Sequence, residues 1–135
     1  MADPRAFVTD THPLLLHVAG GRRLGRRAAA GFRDCEQREA LIYVPASVIW
    51  ETSLLVRIRR VDLRRGLREF YEQLFSNPAY QPLDLTPGQV YLADEARPND
   101  DPFDALICAA ARALGLPLIT RDRLIRDWGL VRTVW

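Results

Sequence analysis

Five acidic residues stand out by where they sit: Asp10, Glu51, Asp101, Asp104 and Asp122. Asp10 ends the short apolar run AFVT, and Asp122 stands just past LPLIT. Glu51 lies inside VIWETSLL, an apolar stretch that gives a solvated glutamate little reason to be there. Asp101 and Asp104 open the segment DPFDALICAAARALG, which is otherwise almost wholly apolar. Their i, i+3 spacing puts both on one face of a helix start. Taken singly, the aspartates read as helix caps, because an Asp side chain accepts the unpaired N–H groups of a first turn. Asp101 followed by Pro102 has the cap-then-proline order of a helix start, with Asp104 at the third helical position.

Capping does not account for acids from four chain segments converging on one place. Crowded carboxylates repel one another, and a buried one without a partner is costly or takes up a proton. A hard divalent cation relieves both problems, since Mg²⁺ and Mn²⁺ take oxygen ligands. No His or Cys cluster accompanies the acids, which argues against zinc. His12 is a lone imidazole beside Asp10, readable as structural or as a neighbour of the site. A cation held by carboxylates suits phosphodiester hydrolysis, because it lowers the pKa of a water and offsets charge on the scissile phosphate.

Positioning these acids requires particular elements. AFVT (6–9), LIYVPA (41–46) and LPLIT (116–120) read as buried strands. YQPLDL (80–85) reads as a strand that Pro82 confines to a sheet edge, and LVRTVW as a last strand. Between them fall helices over about 13–20, 24–37, 47–60, 63–75, 87–93, 102–114 and 123–129. Thr86 caps the fifth, with Pro87 after it. Strands alternate with helices and the apolar runs are continuous, so the strands are buried on both faces. The pattern predicts an α/β fold: a three-layer α/β/α sandwich around a mostly parallel sheet of four to five strands, in one domain over residues 1–135. In such sheets the working crevice lies beyond the carboxyl ends of the strands, where Asp10 and Asp122 fall.

Composition sets the outer bounds. The chain has 135 residues, 48% of them hydrophobic, enough for one core. No apolar run approaches the ~18 residues that span a bilayer, which points to a soluble, cytoplasmic protein. Cys35 and Cys108 have no metal-ligand spacing; Cys108, in its apolar helix, is expected to be a small core residue, and the absence of a disulfide pattern fits a reducing compartment. All 19 basic residues are arginine, with no lysine for a Schiff base or phosphate clamp. The arginines gather at Arg22, Arg23, Arg26 and Arg27 and again from Arg57 to Arg68. Those clusters read either as solvated faces or as contacts to a phosphate backbone.

The acids lie in motifs that resemble a known family. FVTDTHPLLL is similar to the opening strand and "DTH-x-LL" start of PIN-domain proteins. SVIWETSLL resembles their "SxxWExxxL" segment, and DPFDALICAAARALGLPLITRD their "DPxDRLIxAxAxxxGxxLVTxD" segment. Within that family the resemblance is to the VapC-type toxins, metal-dependent endoribonucleases silenced by a cognate VapB-type antitoxin. The resemblance implies that Asp10 and Asp104 are the main ligands of Mg²⁺ or Mn²⁺. It implies that Glu51 and Asp122 complete the set, with Asp101 as an extra acid. Thr11 and Thr120 match hydroxyl positions near the metal. It further implies a transfer or ribosomal RNA substrate, a homodimer with apolar contacts near residues 24–37 and 47–60, and an antitoxin segment placing a basic side chain among the acids. The chain departs from the pattern at His17, where Trp is common, at Leu55, where a basic residue is common, and at RRVDL, in place of a "GKL"-like turn.

Two other functions compete with this one. A receiver-like phosphoacceptor domain needs a lysine near its acids, and none exists. A PIN-like module acting through protein contacts alone would be free to lose Glu51 or Asp122, and both are present.

Overall fold

The structure is a computed structural model and describes residues 5–135. Five strands carry the core: β1 (Arg5–Thr9), β2 (Ala40–Pro45), β3 (Tyr80–Leu83), β4 (Leu118–Ile119) and β5 (Thr133–Val134). They form one sheet in the order β3-β2-β1-β4-β5, with every neighbouring pair parallel. Parallel pairing needs a crossover each time. Seven helices supply it: α1 (Thr11–Val18), α2 (Arg26–Glu36), α3 (Ala46–Arg57), α4 (Leu67–Phe75), α5 (Pro87–Glu95), α6 (Pro102–Leu114) and α7 (Arg123–Trp128). The predicted α/β/α layering is the observed one, and the sheet is wholly parallel where a mostly parallel one was expected.

Burial explains why the sheet sits at the centre. Val8, Ile42, Val44, Leu118 and Ile119 are fully buried, and Ala28, Phe32 and Cys35 of α2 and Ile107, Cys108 and Ala111 of α6 join them in one core. Both cysteines are free and buried, Cys108 as its apolar helix suggested and Cys35 in α2 as well. β3 lies at the sheet edge, where Pro82, which lacks an N–H, interrupts no ladder on its outer side. Among the described residues no helix is long and apolar enough to cross a membrane.

Several boundaries differ from the sequence reading, each for a local reason. α1 begins at Thr11 and not at Pro13, because the Asp10 carboxylate accepts the Thr11 N–H and starts the helix directly after β1. Pro13 then falls in the first turn, where no donor is required. α4 begins at Leu67 and not at Leu63. Arg64 takes a left-handed backbone (φ 60) and its N–H is held by the Asp62 carboxylate, so the chain turns before Gly66 starts the helix. Residues 58–66 therefore form an irregular connection, although Leu63 still packs on the core. α2 starts at Arg26, capped by Gly25.

Gly25 is required sterically. A Cβ there would lie 2.5 Å from the Trp135 carbonyl carbon and 2.6 Å from its ring, while the Arg27 N–H donates to the Trp135 carbonyl at 3.1 Å. Gly25→Ala is expected to destabilise the fold by about 1–3 kcal/mol through this overpacking. Urea titration checks it: a midpoint unchanged from native means that Trp135 moves aside freely.

Candidate active site

The strand order creates a topological switch point. From β1 the chain steps outward to β2 and β3, then returns to β4 on the other side of β1. Crossovers leaving in opposite directions open a crevice beyond the carboxyl ends of β1 and β4. Asp10 follows β1 directly, and Thr120, Arg121 and Asp122 follow β4.

A threonine hydroxyl joins the two strand ends. Thr120 Oγ1 donates to Asp10 Oδ2 at 2.8 Å and accepts the Asp122 N–H at 3.1 Å. Asp10 Oδ1 accepts the Thr11 N–H at 2.8 Å, so both oxygens of this buried carboxylate are held. The Thr11 hydroxyl turns to the other side and donates to Glu51 Oε1 at 2.5 Å. That contact answers why a glutamate stands in the apolar α3: it is half-buried and has a hydroxyl partner.

The third group opens α6. Asp101 Oδ1 accepts the N–H groups of Phe103 and Asp104 at 2.8 and 3.2 Å, a helix cap as the sequence suggested. Asn99 braces the pair, its Nδ2 donating to Asp104 Oδ2 at 2.9 Å and its Oδ1 accepting the Asp101 N–H at 2.8 Å. The sequence reading missed Asn99. Its signal was an Asn two residues before an Asp, the spacing at which an Asn side chain folds back onto its own backbone. Asp122 caps α7 through Oδ1 and the Ile125 N–H at 3.1 Å. Capping and site membership are thus compatible, because Asp101 and Asp122 each use only Oδ1 as a cap.

Electrostatics tie the three groups together. Burial pushes the Asp104 carboxyl up to about 6, and the charges of Asp10, Asp101 and Asp122 add to the rise against the Asn99 hydrogen bond. Asp10 is raised first by burial, with Glu51 adding repulsion against the hydrogen bonds of Thr120 and Thr11. Glu51 is raised by burial too, with Asp101 and Asp104 contributing and the Thr11 hydroxyl and His12 opposing. His12 therefore does neighbour the site. Cys108, one helical turn below Asp104, is raised to about 12 by burial, with Asp10, Asp104 and Asp122 adding to it.

Hydrogen bonds thus join Asp10, Thr11, Glu51, Thr120 and Asp122 in one network and Asp101 and Asp104 through Asn99 in a second, with Asp104 near enough for the charges of Asp10 and Asp122 to act on it. They do not close into a cage: among the described residues no three His, Cys, Asp or Glu side chains converge as a ready metal-binding group. The donor chemistry nevertheless fits a hard divalent cation. The set is all oxygen, burial holds Asp10, Glu51 and Asp104 above the usual carboxylate range, and the ion pairs among the described residues (Arg5–Asp34, His17–Glu36, Arg123–Asp127) involve none of the set.

Thr120 carries a stability test. Thr120→Val keeps the shape but leaves the Asp122 N–H and one Asp10 oxygen without a partner, so a loss of about 1–3 kcal/mol is expected. Chemical denaturation at pH 7 measures it. Native-like stability would mean that water replaces the hydroxyl at no cost.

Comparisons with known proteins bear on the fold and the family. The sequence matches the PIN domain family over residues 7–129. No curated protein matches it by sequence. Among solved structures, a chain of VapBC2 from Rickettsia felis, bound to a DNA fragment from their promoter, is similar with TM-score 0.68 at 12% identity, covering 95% of this chain and 96% of that one. DNA-bound VapBC from Salmonella typhimurium gives TM-score 0.64 at 13% identity, with 96% of both chains covered. FitAcB from Neisseria gonorrhoeae gives 0.63 at 18%, over 94% of this chain and 95% of that one. Identities this low establish a shared fold. The family match, covering nearly all of the chain, goes further: this protein belongs to the PIN domain family.

Proposed function

We propose that the chain is a VapC-type toxin, a cytoplasmic Mg²⁺- or Mn²⁺-dependent endoribonuclease acting as a single domain. The observation that carries the reading is the hydrogen-bonded set of buried and half-buried carboxylates at the switch point, none of which forms an ion pair with an arginine among the described residues. Asp10 and Asp104 would hold the cation, with Glu51 and Asp122 completing its surroundings and Asp101 adding charge at the rim. When bound, such an ion supplies a water of lowered pKa and offsets charge on the phosphate.

The chain's own residues do the positioning. Thr120 fixes Asp10 and the start of α7 together, Thr11 orients Glu51, and Asn99 orients Asp104. Buried, prearranged carboxylates need little reorganisation when the ion and substrate arrive.

The structural relatives are toxin–antitoxin assemblies, which supports a VapB-type antitoxin as partner. A basic side chain on the antitoxin would meet the same need for positive charge as the ion. A homodimer would use α3 and its C-terminal cap, where Trp50 and Ile58 are 54% and 63% exposed. The outward face of α2 carries Arg26, Arg27 and Arg33 and no large apolar residue, so the dimer contact expected over 24–37 lacks an apolar surface.

Incubation of the chain with transfer and ribosomal RNA, with Mg²⁺, Mn²⁺ or EDTA, tests the reading. Cutting of RNA that requires a divalent ion is expected, with single-stranded DNA of the same sequence spared. RNA left intact under both metals would turn the reading to a PIN-like module acting by protein contacts alone.

A further inference from the structure

A groove beside the acid site is lined by arginine. It has a volume of about 670 Å³ and runs between α1 and the irregular connection 58–66. His12, two residues after Asp10, lines it together with Arg60, Arg64 and Arg65, and the one carboxylate in the lining, Asp62, is turned to the Arg64 N–H. Leu15, Leu16 and Leu63 give the lining an apolar part.

The arginines here are unusual in two ways. Arg60, Arg64 and Arg65 are exposed, and among the described residues no carboxylate lies within ion-pair distance of them. The connection also holds Arg59 and Arg64 in left-handed backbone conformations, at φ 60 each. A residue with a Cβ is disfavoured there, and glycine would serve the turn better. The segment keeps side chains that reach a phosphate at positions where the backbone favours their absence.

Resting on the ribonuclease reading above, we infer that this groove is the path by which a single-stranded RNA segment enters the acid site. Arg60, Arg64 and Arg65 hold consecutive phosphates, and an unstacked base lies on Leu15, Leu16 and Leu63. Guanidinium groups bind phosphate oxygens in pairs, which orients the backbone as well as attracting it. A duplex has no free base face for these leucines, so the groove selects unpaired RNA. These arginines are positioning residues: they contact the strand beside the scissile bond and take no part in breaking it.

The test separates binding from cutting. Fluorescently labelled single-stranded RNA is titrated in EDTA with the native chain and with the triple variant Arg60→Gln, Arg64→Gln, Arg65→Gln, whose folding is checked by thermal melting. The variant is expected to bind at least about tenfold more weakly, with a shallower salt dependence by about two units in log–log slope, because single strands release roughly 0.7 counterions per phosphate contact. The triple Arg→Lys variant is expected to recover most of the salt slope, since charge is restored. In metal, KM should rise in the Gln variant with kcat nearly unchanged, and native chain should prefer the single strand over the same sequence in a duplex. Equal RNA affinity of native and Gln variant overturns the inference and leaves the groove to a protein segment. Cutting that persists with unchanged KM overturns it while sparing the ribonuclease reading, whereas no RNA binding by the native chain ends both.

Discussion

Asp10→Asn is expected to lower metal-dependent RNA cleavage by at least about 10²–10³-fold, the usual scale for removing one prearranged electrostatic contact, while the chain stays folded. The second half of that expectation is as informative as the first. Asn caps helices about as well as Asp, so the bond from the Thr11 N–H to the side-chain oxygen survives. The substitution removes a charge that burial and Glu51 both oppose. The metal-free variant is therefore expected to melt at or above the native temperature at pH 7.5. Loss of activity with a lower melting temperature would point to a structural role for Asp10. Full activity would remove it from the site altogether.

Divalent ions and protons should substitute for one another in stabilising the fold. Asp104 has its carboxyl raised to about 6 by burial and by Asp10, Asp101 and Asp122, and Asp10 and Glu51 shift in the same direction. A carboxyl raised on folding contributes stability that is complete below its unfolded value of roughly 4 and is lost as pH rises through its folded value. Metal-free protein in EDTA and low salt should consequently melt higher at pH 5.5 than at pH 7.5. Asp104 is half open to solvent, so its effect across this window is discounted to about 0.5 kcal/mol, or roughly 2 °C for a chain of this size. Glu36 runs the other way: against its own burial, hydrogen bonds from Tyr80 and His17 hold it low. Its contribution is lost only near pH 4 and below, outside the window compared. Mg²⁺ or Mn²⁺ at pH 7.5 should raise the melting temperature further, by about 2.7 kcal/mol at a hundredfold excess over Kd, and should act less at pH 5.5, where protons compete. Calorimetry at the two pH values, with and without ion, measures all four states. A melting temperature that rises with pH, or that ignores both ions, would contradict a carboxylate cluster short of positive charge.

Much of the molecule was legible from the order of its residues. Runs such as AFVT and LPLIT gave strands because continuous apolar side chains have nowhere to go but a sheet covered on both faces. Pro82 placed β3 at an edge, and Thr86, Asp101 and Asp122 announced their helices, because caps act over two or three residues. The misplaced starts of α1 and α4 have the same origin. There a side chain reached back to the main chain, from Asp10 to Thr11 and from Asp62 to Arg64, and decided the boundary against apolar periodicity.

What local chemistry could not determine was adjacency. Nothing near residue 10 specifies that β1 lies beside β4, yet that pairing brings Thr120 to Asp10 across 110 positions and builds the crevice. Whether Glu51 found a partner was equally open until α3 packed near α1 and the Thr11 hydroxyl met it. The acids themselves were written in the chain. Their burial and their effect on one another came only with the packing, because desolvation and charge repulsion act through space and not along the sequence.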